Sequence, residues 1–418
     1  MAMSFVGSFG RGQLRMGWKK LNRCGESVRL EKVLQKGMAF RWREIDEGRT
    51  WAGVVKDRVV ILRQEQEDVE YWLEPGLEPL EETLADYFNV RVKCDSLMKT
   101  FAEKDENIAR AIPLVRGTRV LRLDPVECLF SFICSSNNNV KRISSMVNFL
   151  ASQYGRYVAE FDGHHFYTFP TIGELYGKAT EQELRENGFG YRARYIVGAA
   201  RALQERGGEK WLLQLRSEDR NQVSEKLVEL PGIGKKVASC IALFSLDKYD
   251  EIPIDTHIWK MTVSKYMPSL KGKSLTNAVY DQIGDHYRTL FGDMAGWAQT
   301  VLFVTEFDDY HRGTSTSKKR KTGKRKAQKM EPGLKTEEEF IIREAIPAKE
   351  EDVCLSPMDS SESVEGKLES MLHLEENLTM SPSSLLSPSE DSLDAKPTKR
   401  QPTNRRSPRI QKTANDAG

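Results

Sequence analysis

The sequence predicts an α+β protein: an antiparallel β domain over 25–115, a helical domain over 116–312, and a tail over 313–418 that does not fold. Three observations carry this prediction. Short β-branched runs separated by turn residues occupy the first stretch, and apolar residues recur at helical spacing through the second. In the third, Ser, Pro, Glu and Lys dominate and aromatic residues nearly vanish, so little apolar surface offsets the chain's conformational entropy.

The totals set the frame. A chain of 418 residues accommodates two or three domains, or two and a tail. Its 39% hydrophobic content and mean hydropathy of −0.54 are low for a chain folded throughout. The formal net charge of +2 does not by itself point to nucleic acid, so the distribution of charge matters more. The six cysteines (24, 94, 128, 134, 240 and 354) form no CxxC pair. They fit free thiols in a reducing compartment, and no spacing suits zinc or an iron–sulfur cluster. No apolar run approaches the roughly 18 residues of a membrane span, so no membrane partner is expected.

Residues 1–24 form a basic segment, with Arg11, Arg15, Lys19, Lys20 and Arg23 and no acid before Glu26. That is the composition of a mitochondrial presequence, but a plain basic N-terminus is the favoured reading. Trp18 and Leu21 favour the start of a folded domain. Beyond them, Val54-Val55, a Lys56-Asp57 turn and Val59-Val60-Ile61-Leu62 predict a hairpin. Gln64 to Glu67 forms the next turn, leading into Val69-Glu70-Tyr71-Trp72-Leu73, and Leu80 to Phe88 reads as a short helix after Pro79.

In the helical stretch, Asp124-Pro125 is a strong start, with Asp as N-cap and Pro in the first turn. Val126, Leu129, Phe130 and Ile133 then bury one stripe. Val140, Ile143, Met146, Val147 and Leu150 repeat the pattern, as do 199–203, 211–215 and 223–230.

The most informative stretch is Leu230-Pro231-Gly232-Ile233-Gly234-Lys235-Lys236. A helix ends near Glu229 and another opens near Lys235. Gly232 and Gly234 let the backbone turn tightly, and the free N–H groups of the turn and helix end suit an anion such as a DNA phosphate. Leu230 and Ile233 anchor the turn.

Lys236 lies in the first turn of that helix, where the dipole favours anions. The same field, the neighbouring Lys235 and partial burial all favour a neutral amine, which is a nucleophile. Taken alone, the pair reads rather as surface lysines binding phosphate. Asp255, flanked by Ile254 and Ile252-Pro253, caps the next helix and is also placed to stabilise a cationic sugar. Cys240, one turn after Lys236, shares its face.

These residues resemble the helix–hairpin–helix DNA glycosylase superfamily and, within it, the eukaryotic 8-oxoguanine DNA glycosylases, from about Leu30 to Phe307. The resemblance implies a TBP-like antiparallel β domain packed on an all-α helix–hairpin–helix domain. It also implies excision of 8-oxoguanine opposite cytosine from duplex DNA, with ring-opened purines as further substrates, and β-elimination through a Lys236 Schiff base assisted by Asp255.

Further motifs take their roles from that resemblance. In Gly37-Met38-Ala39-Phe40-Arg41-Trp42-Arg43, Gly37 offers its carbonyl to the N7–H that guanine lacks. In Gly296 to Phe303, Gln299 reads the base edge and Phe303 stacks on it, with Cys240 on the other face. In Ser135-Ser136-Asn137-Asn138-Asn139-Val140-Lys141-Arg142, Asn137 fills the gap and Arg142 holds the estranged cytosine. In Gly188-Phe189-Gly190-Tyr191-Arg192, Tyr191 wedges beside that cytosine and Arg192 grips it. Gly232, Gly234, Lys235 and His257 would hold the DNA backbone.

The chain departs from the family at Lys235, usually small or polar, at Phe244, often Met, and at Glu306, where relatives carry Asp. The chemistry requires no metal or organic cofactor, and a monomer is expected. Two rivals remain: a glycosylase for another lesion, which often carries a four-cysteine cluster absent here, and a non-enzymatic hairpin module, which needs neither Lys236 with Asp255 nor a base pocket. In the tail, Lys318-Lys319-Arg320-Lys321 and Lys324-Arg325-Lys326 suit nuclear import. Ser356, Ser381, Ser387 and Ser407 each precede proline, a pattern for proline-directed phosphorylation that chance also produces.

Overall fold

The apolar run Val59–Leu62 sits at the centre of a five-stranded antiparallel sheet. The computed structural model describes residues 8–306, except 11, 13, 15, 16, 22, 24, 35, 47 and 74–79. The expected tail, with its basic blocks and serine–proline pairs, lies outside the described residues, as do Arg11, Arg15, Cys24 and Pro79. In chain order the strands are β1 (Ser8–Phe9), β2 (Lys19–Lys20), β3 (Arg43–Asp46), β4 (Thr50–Val55), β5 (Arg58–Glu65), β6 (Asp68–Trp72), β7 (Tyr157–Phe161) and β8 (His164–Tyr167). The larger sheet has the order β2-β6-β5-β4-β3. Its central hairpin turns at Lys56-Asp57 as expected, and β5 runs on to Glu65, so the next turn is only Gln66-Glu67.

Both faces of this sheet are covered. Trp51, Val60, Leu62 and Tyr71 pack into the main core with the helices, whereas Ala52, Val59, Ile61 and Trp72 pack against Ala159, Phe161 and Phe166 of β7 and β8. A strand buried on both faces reads as a continuous apolar run, as Val59–Leu62 does.

That second layer corrects the expectation of an all-α region over 116–312. β7 and β8 pair as a hairpin, with β1 parallel to β7. The turn is Asp162-Gly163, with φ of 53° and 74°, the left-handed pair of a type I′ turn. The Asp-Gly signal was present in the sequence.

The stretch 25–115 forms the short helix expected at Leu80 to Phe88 and two more helices after it. Its second half is helical: Glu81–Tyr87, Cys94–Lys104 and Glu106–Val115. Ile108, Ala111 and Val115 lie on one buried face, and Asp105 caps the last of these helices through Ile108 N at 2.8 Å. At the other end, β2 pairs with β6, so the folded part begins before residue 25, as Trp18 and Leu21 suggested.

The helix Pro125–Ser135 is capped by Asp124, whose carboxylate accepts from Val126 N at 2.9 Å and Glu127 N at 3.1 Å. It packs against Lys235–Ser245, and Phe132 stacks on Phe244 with ring centroids 5.6 Å apart. Both helices are buried nearly all round, so together they form the wall on which the site is built.

Burial of the thiols makes a stability prediction. It pushes Cys94 and Cys134 up to about 12 and Cys240 up to about 11. The unfolded chain releases these protons near the ordinary thiol range of about 8.5. Above that pH the folded state therefore binds more protons than the unfolded one, and stability falls as pH rises. The melting temperature should hold steady to about pH 8.5 and then decline. A flat profile to about pH 10.5 in calorimetry would contradict it.

Candidate active site

The hairpin is built as its sequence demands. The helix Arg220–Val228 ends, Leu230 and Ile233 are buried, and the helix Lys235–Ser245 opens with Gly234 as its N-cap. Gly232 has φ +80°, and a Cβ there would lie 2.5 Å from the Cβ of Tyr195. Among the described residues, no backbone carbonyl takes up the amides of Gly234, Lys235 or Lys236. The open helix end is thus available to an anion. Gly232→Ala should strain the turn by about 1–3 kcal/mol. Charged to duplex binding, that is about tenfold or more in affinity by fluorescence anisotropy. Unchanged affinity would remove the hairpin from the DNA interface.

Lys236 points from this helix into a cleft lined by Gly37, Met38, Phe132, Lys236, Cys240, Phe244, Pro253, Asp255, Gln299, Thr300 and Phe303. Five separate segments converge there. The sequence brought Gly37, Lys236, Cys240, Asp255, Gln299 and Phe303 forward, and all six line the one cleft. Its cavity volume is about 50 Å³, room for a few waters and not for a purine, so base entry requires the rim to yield.

The lysine amine is 3.3 Å from Ser135 Oγ and 5.2 Å from the centre of the Phe132 ring. The Cys240 thiol, held neutral by burial, lines the same cleft one turn along the helix from Lys236. Asp255 caps the helix Thr256–Lys265: Oδ1 accepts from His257 N at 3.0 Å and Ile258 N at 2.9 Å. Both cap bonds fall on Oδ1, and Oδ2 takes no hydrogen bond among the described residues. One carboxylate oxygen fixes the helix and the other is left for the cleft. Gln299 is 3% exposed and gives Nε2 to Pro253 O at 3.4 Å. Phe303 meets the His257 ring edge-on, centroids 6.5 Å apart.

The residues expected at the estranged base gather on a second surface. Asn137 is exposed, with φ of 46°, a left-handed conformation that Asn tolerates. Arg142 donates to Gly188 O at 2.8 Å, tying two of the motifs together. Tyr191 is 41% exposed, and its hydroxyl donates to Ser136 O at 3.1 Å. Arg192 differs from expectation. It is 3% exposed, and its guanidinium turns inward to the carbonyls of Ser136 and Asn137, the latter at 2.9 Å. To grip a cytosine it must exchange those bonds.

Lys235 also differs. Its amine is paired with Asp281, 2.6 and 2.7 Å from the two carboxylate oxygens. Its charge is compensated, which weakens both its expected repulsion of Lys236 and its expected phosphate contact.

Family models match most of the described chain. Residues 20–129 match the 8-oxoguanine DNA glycosylase N-terminal domain, and residues 130–278 match the HhH-GPD superfamily of base excision DNA repair proteins. The N-glycosylase/DNA lyase OGG1 of Arabidopsis thaliana is 39% identical over 295 residues, covering 69% of this chain and 80% of the plant protein. The chain belongs to the OGG1 family of N-glycosylase/DNA lyases. The N-glycosylase/DNA lyase of Saccharomyces cerevisiae is 34% identical, covering 70% of this chain and 87% of the yeast protein. Among solved structures, MBOgg1 in complex with a low-affinity DNA ligand aligns with a TM-score of 0.62 at 28% identity, over 71% of this chain and all of that one. The Clostridium acetobutylicum 8-oxoguanine glycosylase/lyase, bound to duplex DNA with cytosine opposite 8-oxoguanine, aligns with a TM-score of 0.61 at 29% identity, over 69% of this chain and 93% of that one.

The three positions at which a departure was expected each have a structural setting. Lys235 has Asp281, Phe244 has Phe132, and Glu306 pairs with Lys265 at the far end of the helix that Asp255 caps. Sequence reasoning missed Phe132, Phe244 as a wall and Ser135. Phe132 lies off the Val126–Ile133 stripe, and a second apolar face on that helix was the available signal. Ser135 opens the motif of Asn137 and Arg142, and nothing local in the sequence turns it toward Lys236.

Proposed function

We propose that this chain excises 8-oxoguanine opposite cytosine from duplex DNA and then cleaves the abasic site, with Lys236 as nucleophile and Asp255 as its electrostatic partner. The observation that carries the assignment is the shared cleft, in which an amine and a half-engaged carboxylate face the residues expected to hold the base. In the first step the Lys236 lone pair forms the N–C1′ bond as the C1′–N9 bond breaks. The bonding pair leaves on the base, which takes up a proton. The amine then loses a proton and the C1′–O4′ bond opens, its pair going to O4′, which is protonated. The resulting imine acidifies the 2′ position. Loss of a 2′ proton expels the 3′ phosphate, and water later frees the lysine. Asp255 steadies the positive charge at C1′ and on the imine.

The base pocket is Gly37, Cys240, Gln299 and Phe303. The estranged cytosine is met by Asn137, Arg142 and Tyr191, with Arg192 joining once its inward bonds exchange. Gly232, Gly234 and His257 meet the backbone. Labelled duplexes with 8-oxoguanine opposite each of the four bases test the proposal. Strand cleavage should be strongest opposite cytosine, and intact strands throughout would refute it. A nuclear destination is proposed from the basic block 318–326, and a fluorescent fusion that stays cytoplasmic and nuclear alike after its removal and before it would discount that block.

A further inference from the structure

The lysine cleft contains one polar contact that the proposed chemistry has not used. Ser135 is the last residue of the helix Pro125–Ser135, and its Oγ lies 3.3 Å from Lys236 Nζ. The hydroxyl rotor is locked, because Oγ donates to Phe132 O at 2.7 Å. With its hydrogen committed, Oγ can only accept from the lysine. The backbone just beyond Ser135 is also tied down. The next carbonyl, of Ser136, accepts from the Tyr191 hydroxyl and from Arg192 Nε, each at 3.1 Å.

We infer that Ser135 is a positioning residue for the Lys236 amine: its locked lone pair takes one N–H and turns the nitrogen's own lone pair toward the base cleft. The inference rests on Lys236 being the nucleophile. A neutral amine has two N–H groups and one lone pair. One N–H goes to Ser135, and Cys240 lines the cleft one turn further along the same helix. The ring of Phe132 closes a further side, 5.2 Å from Nζ. With one N–H taken by Ser135, the lone pair is set toward the cleft shared with Asp255 and Gln299. A flexible four-carbon stem is thereby held to one approach, the type of pre-organisation that raises the rate of a bound reaction without tightening binding.

The test separates chemistry from binding. Single-turnover release of 8-oxoguanine at saturating full-length enzyme, and duplex affinity by anisotropy, are measured for wild type, Ser135→Ala and Ser135→Thr. Ser135→Ala should slow the chemical step about tenfold with affinity within about twofold, because one hydrogen bond to the nucleophile is lost and no DNA contact is. Ser135→Thr keeps the oxygen and should recover the rate to within about threefold. Borohydride trapping should fall in parallel with base release. An unchanged rate for Ser135→Ala, a loss confined to affinity, or a Thr variant as slow as Ala would overturn the inference. If wild type itself gives no adduct, the nucleophile assignment fails instead, which is a distinct result.

Discussion

Lys236→Gln is expected to fold and to bind a duplex containing 8-oxoguanine, yet to release no base and form no borohydride adduct. Glutamine preserves most of the side chain's length and its capacity to donate to Ser135 Oγ, but its amide nitrogen has no lone pair able to attack C1′. The helix opens with free amides irrespective of this side chain, so the phosphate contact should persist. Loss of a nucleophile typically costs about 10⁴-fold or more in the chemical step. Single-turnover base release and anisotropy on the same preparation separate the two effects. A variant that still traps would place the nucleophile elsewhere, and one that loses affinity in proportion would make Lys236 a binding residue.

Asp255→Asn is the second large effect, and it distinguishes the two tasks of one carboxylate. Asparagine caps helices about as well as aspartate, so the bonds to His257 N and Ile258 N should survive. The melting temperature should change little. The charge facing the cleft is lost, and electrostatic stabilisation of a developing cation is worth about 10²- to 10³-fold. The rate should fall by that order with affinity preserved. Asp255→Ala removes both the cap and the charge, so it should lower the rate and also cost about 1 kcal/mol of stability. If the Asn variant kept its rate and only the Ala variant were impaired, Asp255 would be a cap and nothing more.

What could be read from the chain alone was what depends on neighbours in sequence. Asp124-Pro125 announces a capped helix because both effects are local, and Gly232 announces a turn because only glycine enters φ +80° without strain. Asp255 as a cap follows the same logic. The cleft was readable through ordered motifs, since residues as distant as Gly37 and Phe303 line it together. Contacts made at long range were not readable. Nothing near Lys235 in sequence points to Asp281, 46 residues on, and nothing in Tyr191-Arg192 says that the guanidinium turns toward Ser136. Phe132 escaped because a helix buried on two faces has no single stripe to follow. The hairpin at Asp162-Gly163 is a different case, since its turn signal was local and was outweighed by the helices on either side.

One measurement bears most directly on the account. Wild-type enzyme is incubated with an 8-oxoguanine duplex and borohydride, the reduced complex is digested with protease and nuclease, and the peptide carrying the deoxyribose remnant is sequenced by mass spectrometry. The account predicts a single modified residue, Lys236. A remnant on Lys235, on Lys260 or on the N-terminal amine, with Lys236 unmodified, would contradict it.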